Sequence, residues 1–209
     1  MKLTTQLLAC VFAAAFSFVA VAHAENEPGT TVAESMDLIE GEGVKAGAIN
    51  TQIIQKTARV MSIDHENRTV VLEGGEGESI ELEVGEEAVN FKQIQTGDMV
   101  IAEYLESVAL FATEPGSGES AQIASAVALA VEGEMPGGMI ADTLQVTAVV
   151  EAIDYETRTV TLRGPLRTTT MHVDERAKRF DNIKQGDEVH FVYTEAVAIS
   201  VTKTKVDKD

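Results

Sequence analysis

Three features of the sequence predict an all-β protein: an internal duplication of strand-and-turn blocks, alternation of apolar side chains within those blocks, and Gly-, Asn- and Asp-containing turns between them. The duplication comes first, because an internal repeat decides architecture before local patterns do. Residues 63–72 read IDHENRTVVL and residues 153–162 read IDYETRTVTL. FKQIQTGDMV at 91–100 matches FDNIKQGDEV at 180–189, and YLESVAL at 104–110 matches YTEAVAI at 193–199. Three blocks in one order and nearly one register describe two tandem copies of one unit, too few for a solenoid.

Each copy divides into short strands. In the second, Val146, Ala148, Val150 and Ala152 share one face of a first strand, and Asp154-Tyr155-Glu156-Thr157 supplies turn chemistry. Val160 and Leu162 share a face of the next, which Gly164-Pro165 ends. Thr169, Met171 and Val173 align on a third, and 174–183 is the one stretch with helical character. Gly186-Asp187 turns into a strand carrying Val189, Phe191 and Tyr193, and a last strand covers 197–201. The first copy follows the same plan. Ala58, Val60 and Ser62 precede Val70 and Leu72, and a Gly-rich hairpin at 74–78 leads to Ile80, Leu82 and Val84. Phe91 and Ile94 sit in the helical turn, and Val100, Ala102 and Tyr104 precede Val108 and Leu110. Three strands, a short helix and two strands is the order of a five-stranded OB-like barrel, with an SH3-like barrel as the alternative. Units this small are marginal alone, so the two copies are expected to dock. The matched pairs Leu72/Leu162, Leu82/Met171 and Phe91/Phe180 are the expected core.

The predicted organisation is a signal peptide at 1–24, an acidic flexible lead-in at 25–50, a first barrel unit at 51–113, a connecting segment at 114–143 and a second unit at 144–209. Within the connector, 121–131 is Ala- and Val-rich and reads equally as helix or strand. The export assignment rests on Lys2, the apolar run 7–21, and the small-x-small site Ala22-His23-Ala24 before Glu25. It places the protein in the periplasm or outside the cell. Cys10, the single cysteine, lies inside that segment, so the mature chain is expected to have no disulfide and no thiolate site. No second long apolar run follows, so no membrane span is expected in the mature chain.

Charge excludes further classes. A net charge of −18 argues against nucleic acid and anionic lipid, which need a basic surface. With aromatics at 5%, there is also little for single-stranded nucleic acid to stack on. The two copies carry nearly equal numbers of acidic residues, 12 in 56–113 and 11 in 144–209, but 4 and 10 basic ones, so the first is much the more negative. The second has a basic group that includes Arg158, Arg163, Arg167, Arg176 and Arg179. If the copies dock, this group is expected to face the acidic rim Glu81, Glu83, Glu86 and Glu87, with Arg176 and Arg179 as interface contacts.

No nucleophile–base constellation and no phosphate-cradling loop is present, so the chain is read as non-enzymatic and without a cofactor. The order of the second copy, with its I-D-x-E-x-R-x-V-T-L and G-D-x-V phrases, resembles the small periplasmic copper- and silver-binding metallochaperones. That resemblance covers 149–191 and implies a soft-ion site made by a His on the second strand, two Met on the third and a Trp. Here the second strand offers Arg163, the third offers Thr169 and Met171, and no Trp exists. Leu82 takes the place of Met171 in the first copy, so Met171 reads as core and no metal ligand is assigned. The pattern of a signal peptide followed by two such units ending in Y-x-E-A-V-A-like phrases also resembles a group of bacterial exported proteins without an assigned activity, which implies location only.

Both copies keep Tyr-x-Glu at one strand corner, Tyr104-x-Glu106 and Tyr193-x-Glu195. These four residues are the candidate ligand or interface contacts. The expected function is therefore an exported binding or interaction protein of the cell envelope, acting on an unknown envelope partner or by self-association. A soft-metal carrier is the alternative.

Overall fold

The computed structural model describes residues 27–204; the signal peptide falls outside them. The chain is all-β. Its strands are β1 (Gly29–Leu38), β2 (Val44–Asp64), β3 (Thr69–Glu73), β4 (Ser79–Glu83), β5 (Met99–Thr113), β6 (Ser120–Leu129), β7 (Gly137–Asp154), β8 (Thr159–Arg163), β9 (Thr168–His172) and β10 (Glu188–Thr202). Single 3-10 turns at Phe91–Gln93 and Phe180–Asn182 replace the expected short helices.

All ten strands belong to one antiparallel sheet in the order β4-β3-β2-β5-β10-β7-β8-β9, with β1 added to β2 and β6 added to β7. The expected separate barrels do not form, and the sheet does not close. The reason is strand length. β2 and β7 run 21 and 18 residues, long enough to serve two sets of partners each. The first part of β2 pairs with β1, and the last part pairs with β3 after a shift between Val60 and Ser62. β7 repeats this with β6 and β8, shifting between Val150 and Ala152. β5 and β10 then pair with each other from Met99↔Thr202 to Thr113↔Glu188, joining the halves through main-chain hydrogen bonds.

Two segment assignments change accordingly. Within the expected lead-in at 25–50, the described part from residue 27 is not a flexible stretch but carries β1 and the start of β2. The connector at 114–143 carries β6 and the start of β7, and 121–131 is mostly strand. Neither strand announces itself, because each depends on a partner 9 to 28 residues away rather than on its own turn signals.

The matched residues explain the ends of the sheet. Arg68 and Arg158 both sit at positive φ, 54° and 50°, in the turn after β2 or β7. Each guanidinium donates to three backbone carbonyls, those of Val84, Gly85 and Ala88 in one half and Val173, Asp174 and Ala177 in the other. Each also lies 4.7 Å over an aromatic ring, Phe91 or Phe180. Phe91 packs with Val60, Val70, Leu72 and Ile94 in a buried cluster that Val201 of the other half completes. Phe180 is buried likewise, and Leu162 is half-buried. Leu82 and Met171 are not core: they are 40% and 41% exposed on β4 and β9, the outermost strands of the path, which no layer covers.

Ion pairs cross between the halves at both ends of the β5–β10 seam. Lys45 holds Asp187 at 2.7 Å and Lys203 holds Asp98 at 2.8 Å. Each aspartate is buried and also accepts a backbone N–H three residues earlier, from Lys184 or Gln95. The expected rim contacts are different. Arg176 pairs with its own neighbour Asp174, while Arg179 donates to the Ile39 carbonyl at 3.2 Å and lies 3.7 Å from Glu40. The first-half groups that Arg179 reaches are thus on the β1–β2 connection, not at Glu81 to Glu87.

Candidate functional site

Six long strands, β1-β2-β5-β10-β7-β6, form the middle of the sheet. In a flat sheet the first and sixth would lie about 24 Å apart. Here residues of β1 and β6 line one cavity, so the sheet curves into a trough with β1 and β6 as its lips. Pair registers assign each side chain to the inner or outer face.

The inner face is divided into two ends by a row of hydroxyls. Ser35, Thr51, Ser107, Thr194 and Thr143 stand directly opposite one another across five strands. Thr51 donates to Ser107 at 3.4 Å, and the Thr143 and Thr194 hydroxyls are 3.1 Å apart. Beyond the row on one side the trough is filled. Phe111, Ala109 and Val192 form a buried cluster with Ile39, Val44 and Ile49. His190 stacks on Phe111 at 4.8 Å, with ring nitrogens 3.0 Å from the Thr113 hydroxyl and 3.1 Å from that of Thr147. Burial lowers the His190 pKa, and nearby Glu188 only partly offsets this. Gly47 faces Phe111 here, and a Cβ would come within 2.5 Å of the Phe111 Cβ.

On the other side of the row the same trough is empty. A cavity of about 670 Å³ lies over Ile53, Leu105 and Ala196, walled by Ala33, Ala128, Met139 and Ala198. The sequence makes it by removing volume. On this side β6 contributes Ala128, β1 contributes Ala33, and β10 contributes Ala196 and Ala198. The size falls in the range of about 300–1,000 Å³ usual for small-molecule sites. The lining is mostly apolar. Glu103 is its inward-facing carboxylate and accepts from Gln55 at 2.8 Å, whereas Glu34 turns outward to Gln52; among the described residues no Lys, Arg or His lines the space.

The outer face brings together four of the six residues picked from sequence. Glu106 stands directly opposite Glu195 across the β5–β10 seam, and a local pseudo-two-fold axis passes between them. Tyr104 and Tyr193 flank the pair on opposite sides. The Tyr104 hydroxyl is 2.7 Å from Glu195 and 3.2 Å from Glu106. Donation to the Glu195 carboxylate, with burial and Glu106 adding to it, holds the Tyr104 phenol protonated far above its ordinary range. Burial and then the same carboxylates raise Tyr193. Opposed like charges on neighbouring strands are destabilising, and the bridging phenol relieves this. The register extends the row to Glu34, Gln52, Glu106, Glu195, Asp142 and Ser125 across all six strands. Arg176 and Arg179 lie elsewhere, between β9 and β10, with Arg179 against the β1–β2 connection.

Among the described residues no group of three or more His, Cys, Asp or Glu side chains is placed to hold a metal ion. Met171 and His172 are adjacent on exposed β9 and so point to opposite faces. Among the same residues no helix is long and apolar enough to cross a membrane. No family model, no curated protein and no solved structure matches this chain.

Sequence reasoning missed the cavity. Its signal was present as alanines at 33, 128, 196 and 198, but small side chains mark a void only once the curvature is known.

Proposed function

We propose that the chain is an exported, non-enzymatic binding protein of the cell envelope, and that the empty half of the trough is where it binds. The cavity carries this reading: its walls are apolar and its size is that of a small-molecule site. Its shape class and lining fit a ligand with an extended hydrocarbon portion. The charge selects further. With Glu103 facing inward, no basic residue in the lining and a net charge of −18, a neutral or cationic head is favoured and an anionic one is repelled.

Calorimetric titration with dodecyltrimethylammonium, dodecyl maltoside and dodecanoate, each below its micelle concentration, tests this. The first two should bind and dodecanoate should bind at least tenfold more weakly. Shortening the cationic chain from twelve to eight carbons should weaken binding by about 3 kcal/mol at full burial, at about 0.8 kcal/mol per methylene. Ala198→Trp should fill the space and abolish binding without unfolding the protein. Absence of binding by both favoured amphiphiles, or binding unaffected by Ala198→Trp, would overturn the assignment.

A further inference from the structure

We propose that a second copy of this chain pairs its β6 with β6 of the first, antiparallel, about a two-fold axis at Ser125. The observation is an imbalance between two edge strands that hold equivalent places. β1 adds to β2 and β6 adds to β7, and among the described residues neither has a partner on its other side. A strand in that position presents a row of free N–H and C=O groups, and native proteins blunt such edges with charge, Pro or bulges. β1 is blunted by Glu34 and Asp37. β6, with the sequence SAQIASAVAL, has no charged residue, no Pro and no register shift against its neighbour, in a chain of net charge −18.

Position by position, the pairings match Val32 with Ile123, Glu34 with Ser125, Met36 with Val127 and Leu38 with Leu129. The charge at the centre of β1 has become a hydroxyl in β6, while the apolar residues around it remain. Those residues stand in solvent: Ile123 is 79% exposed and Val127 is 66% exposed.

The occupant follows from charge. A β1–β1 contact would cover Glu34 and Asp37 of both copies at a seam without a cation, and a β1–β6 contact would cover one set of those carboxylates without supplying a cation. A β6–β6 contact buries no charge. Register follows from parity, since inner and outer faces stay continuous across the seam only if the two-fold axis passes through a residue position rather than between two. Placing it at Ser125 sets Ile123 against Val127 of the second copy and Ala121 against its Leu129, each twice. That is the largest number of apolar cross-strand pairs any register gives. It is also the geometry this chain already uses within itself, where β5 and β10 pair about Glu106 and Glu195. The central outer row, which ends at Ser125, would run on through Ser125 of the second copy.

Cysteine cross-linking reads the register directly. In a Cys10→Ser background, Ser125→Cys should oxidise to a disulfide-linked dimer, and Glu34→Cys should give no disulfide-linked dimer under the same conditions. Unmodified protein should sediment as a dimer at tens of micromolar. Its association should tighten as salt rises, because the two acidic chains repel and the seam holds no ion pair to screen. Ile123→Lys with Val127→Lys should sediment as a monomer with an unchanged β-sheet circular dichroism spectrum. Should that pair of substitutions unfold the chain, the single-cysteine result decides. A monomer at all concentrations tested, cross-linking through Glu34→Cys but not Ser125→Cys, or cross-linking through Ala124→Cys in place of Ser125→Cys would overturn the proposal.

Discussion

The two ends of the trough are made by the same six strands, yet one is solid and the other hollow. At the solid end Phe111, Ile49 and Val192 meet across β5, β2 and β10, and Gly47 gives up its side chain so that Phe111 fits. At the hollow end the strands run on in the same curvature, but Ala33, Ala128 and Ala198 face the space that larger residues would fill. The difference is not in backbone plan. It is a difference of side-chain volume at matched depth, and it teaches that in a curved sheet the choice between core and binding site is made one residue in two.

Four measurements would break or sharpen that contrast. Phe111→Ala at the solid end should lower stability by about 3–5 kcal/mol in urea unfolding, as large core truncations do. A loss under about 1 kcal/mol would mean that this end is not the core. The next effect is pH dependence. Because burial depresses the His190 pKa, the unfolded chain takes up a proton at a higher pH than the folded one. The contribution of His190 is therefore complete above the ordinary histidine value of about 6.5 and is lost as pH falls below it toward the depressed folded value. Stability should decline through that window, and the decline should be shallower in His190→Gln. A third variant, Ala198→Leu, enters the hollow end and should change stability by less than about 1 kcal/mol, whereas overpacking a filled core costs about 1–3 kcal/mol. The smallest effect is expected at Leu82→Ala on exposed β4, within about 1 kcal/mol, which sets the floor of the scale.

Much of this was legible in the sequence, and the limits have physical causes. The short strands, the turns and the buried Phe91 and Phe180 follow from local alternation and turn chemistry. Tyr104, Glu106, Tyr193 and Glu195 stand out as matched positions, but their meeting depends on β5 pairing with β10, which no local pattern shows. What did not follow was which strands pair. Units that begin at 51 and 144 start inside β2 and β7, because nothing local shows that one strand serves two partners. Closing each unit on itself was then the natural inference, although β5 in fact pairs with β10. The alternation in β4 and β9 is real, but alternation assigns faces without saying whether a face is covered, so Leu82 and Met171 fit the pattern of core residues without being core.

The seam between β5 and β10 has a consequence for how this chain holds together. Its register is palindromic, with Glu106 opposite its own counterpart, so each half offers the other what a second copy of itself could also offer. The molecule is in effect a dimer made permanent by a short tether, the loop between β5 and β6. A tether of that length keeps the two strands at an effective concentration in the millimolar range. A fragment ending at Thr113 loses that advantage and keeps the palindrome. It should associate with itself through β5 only as its own concentration rises, which dilution in an analytical centrifuge would reveal.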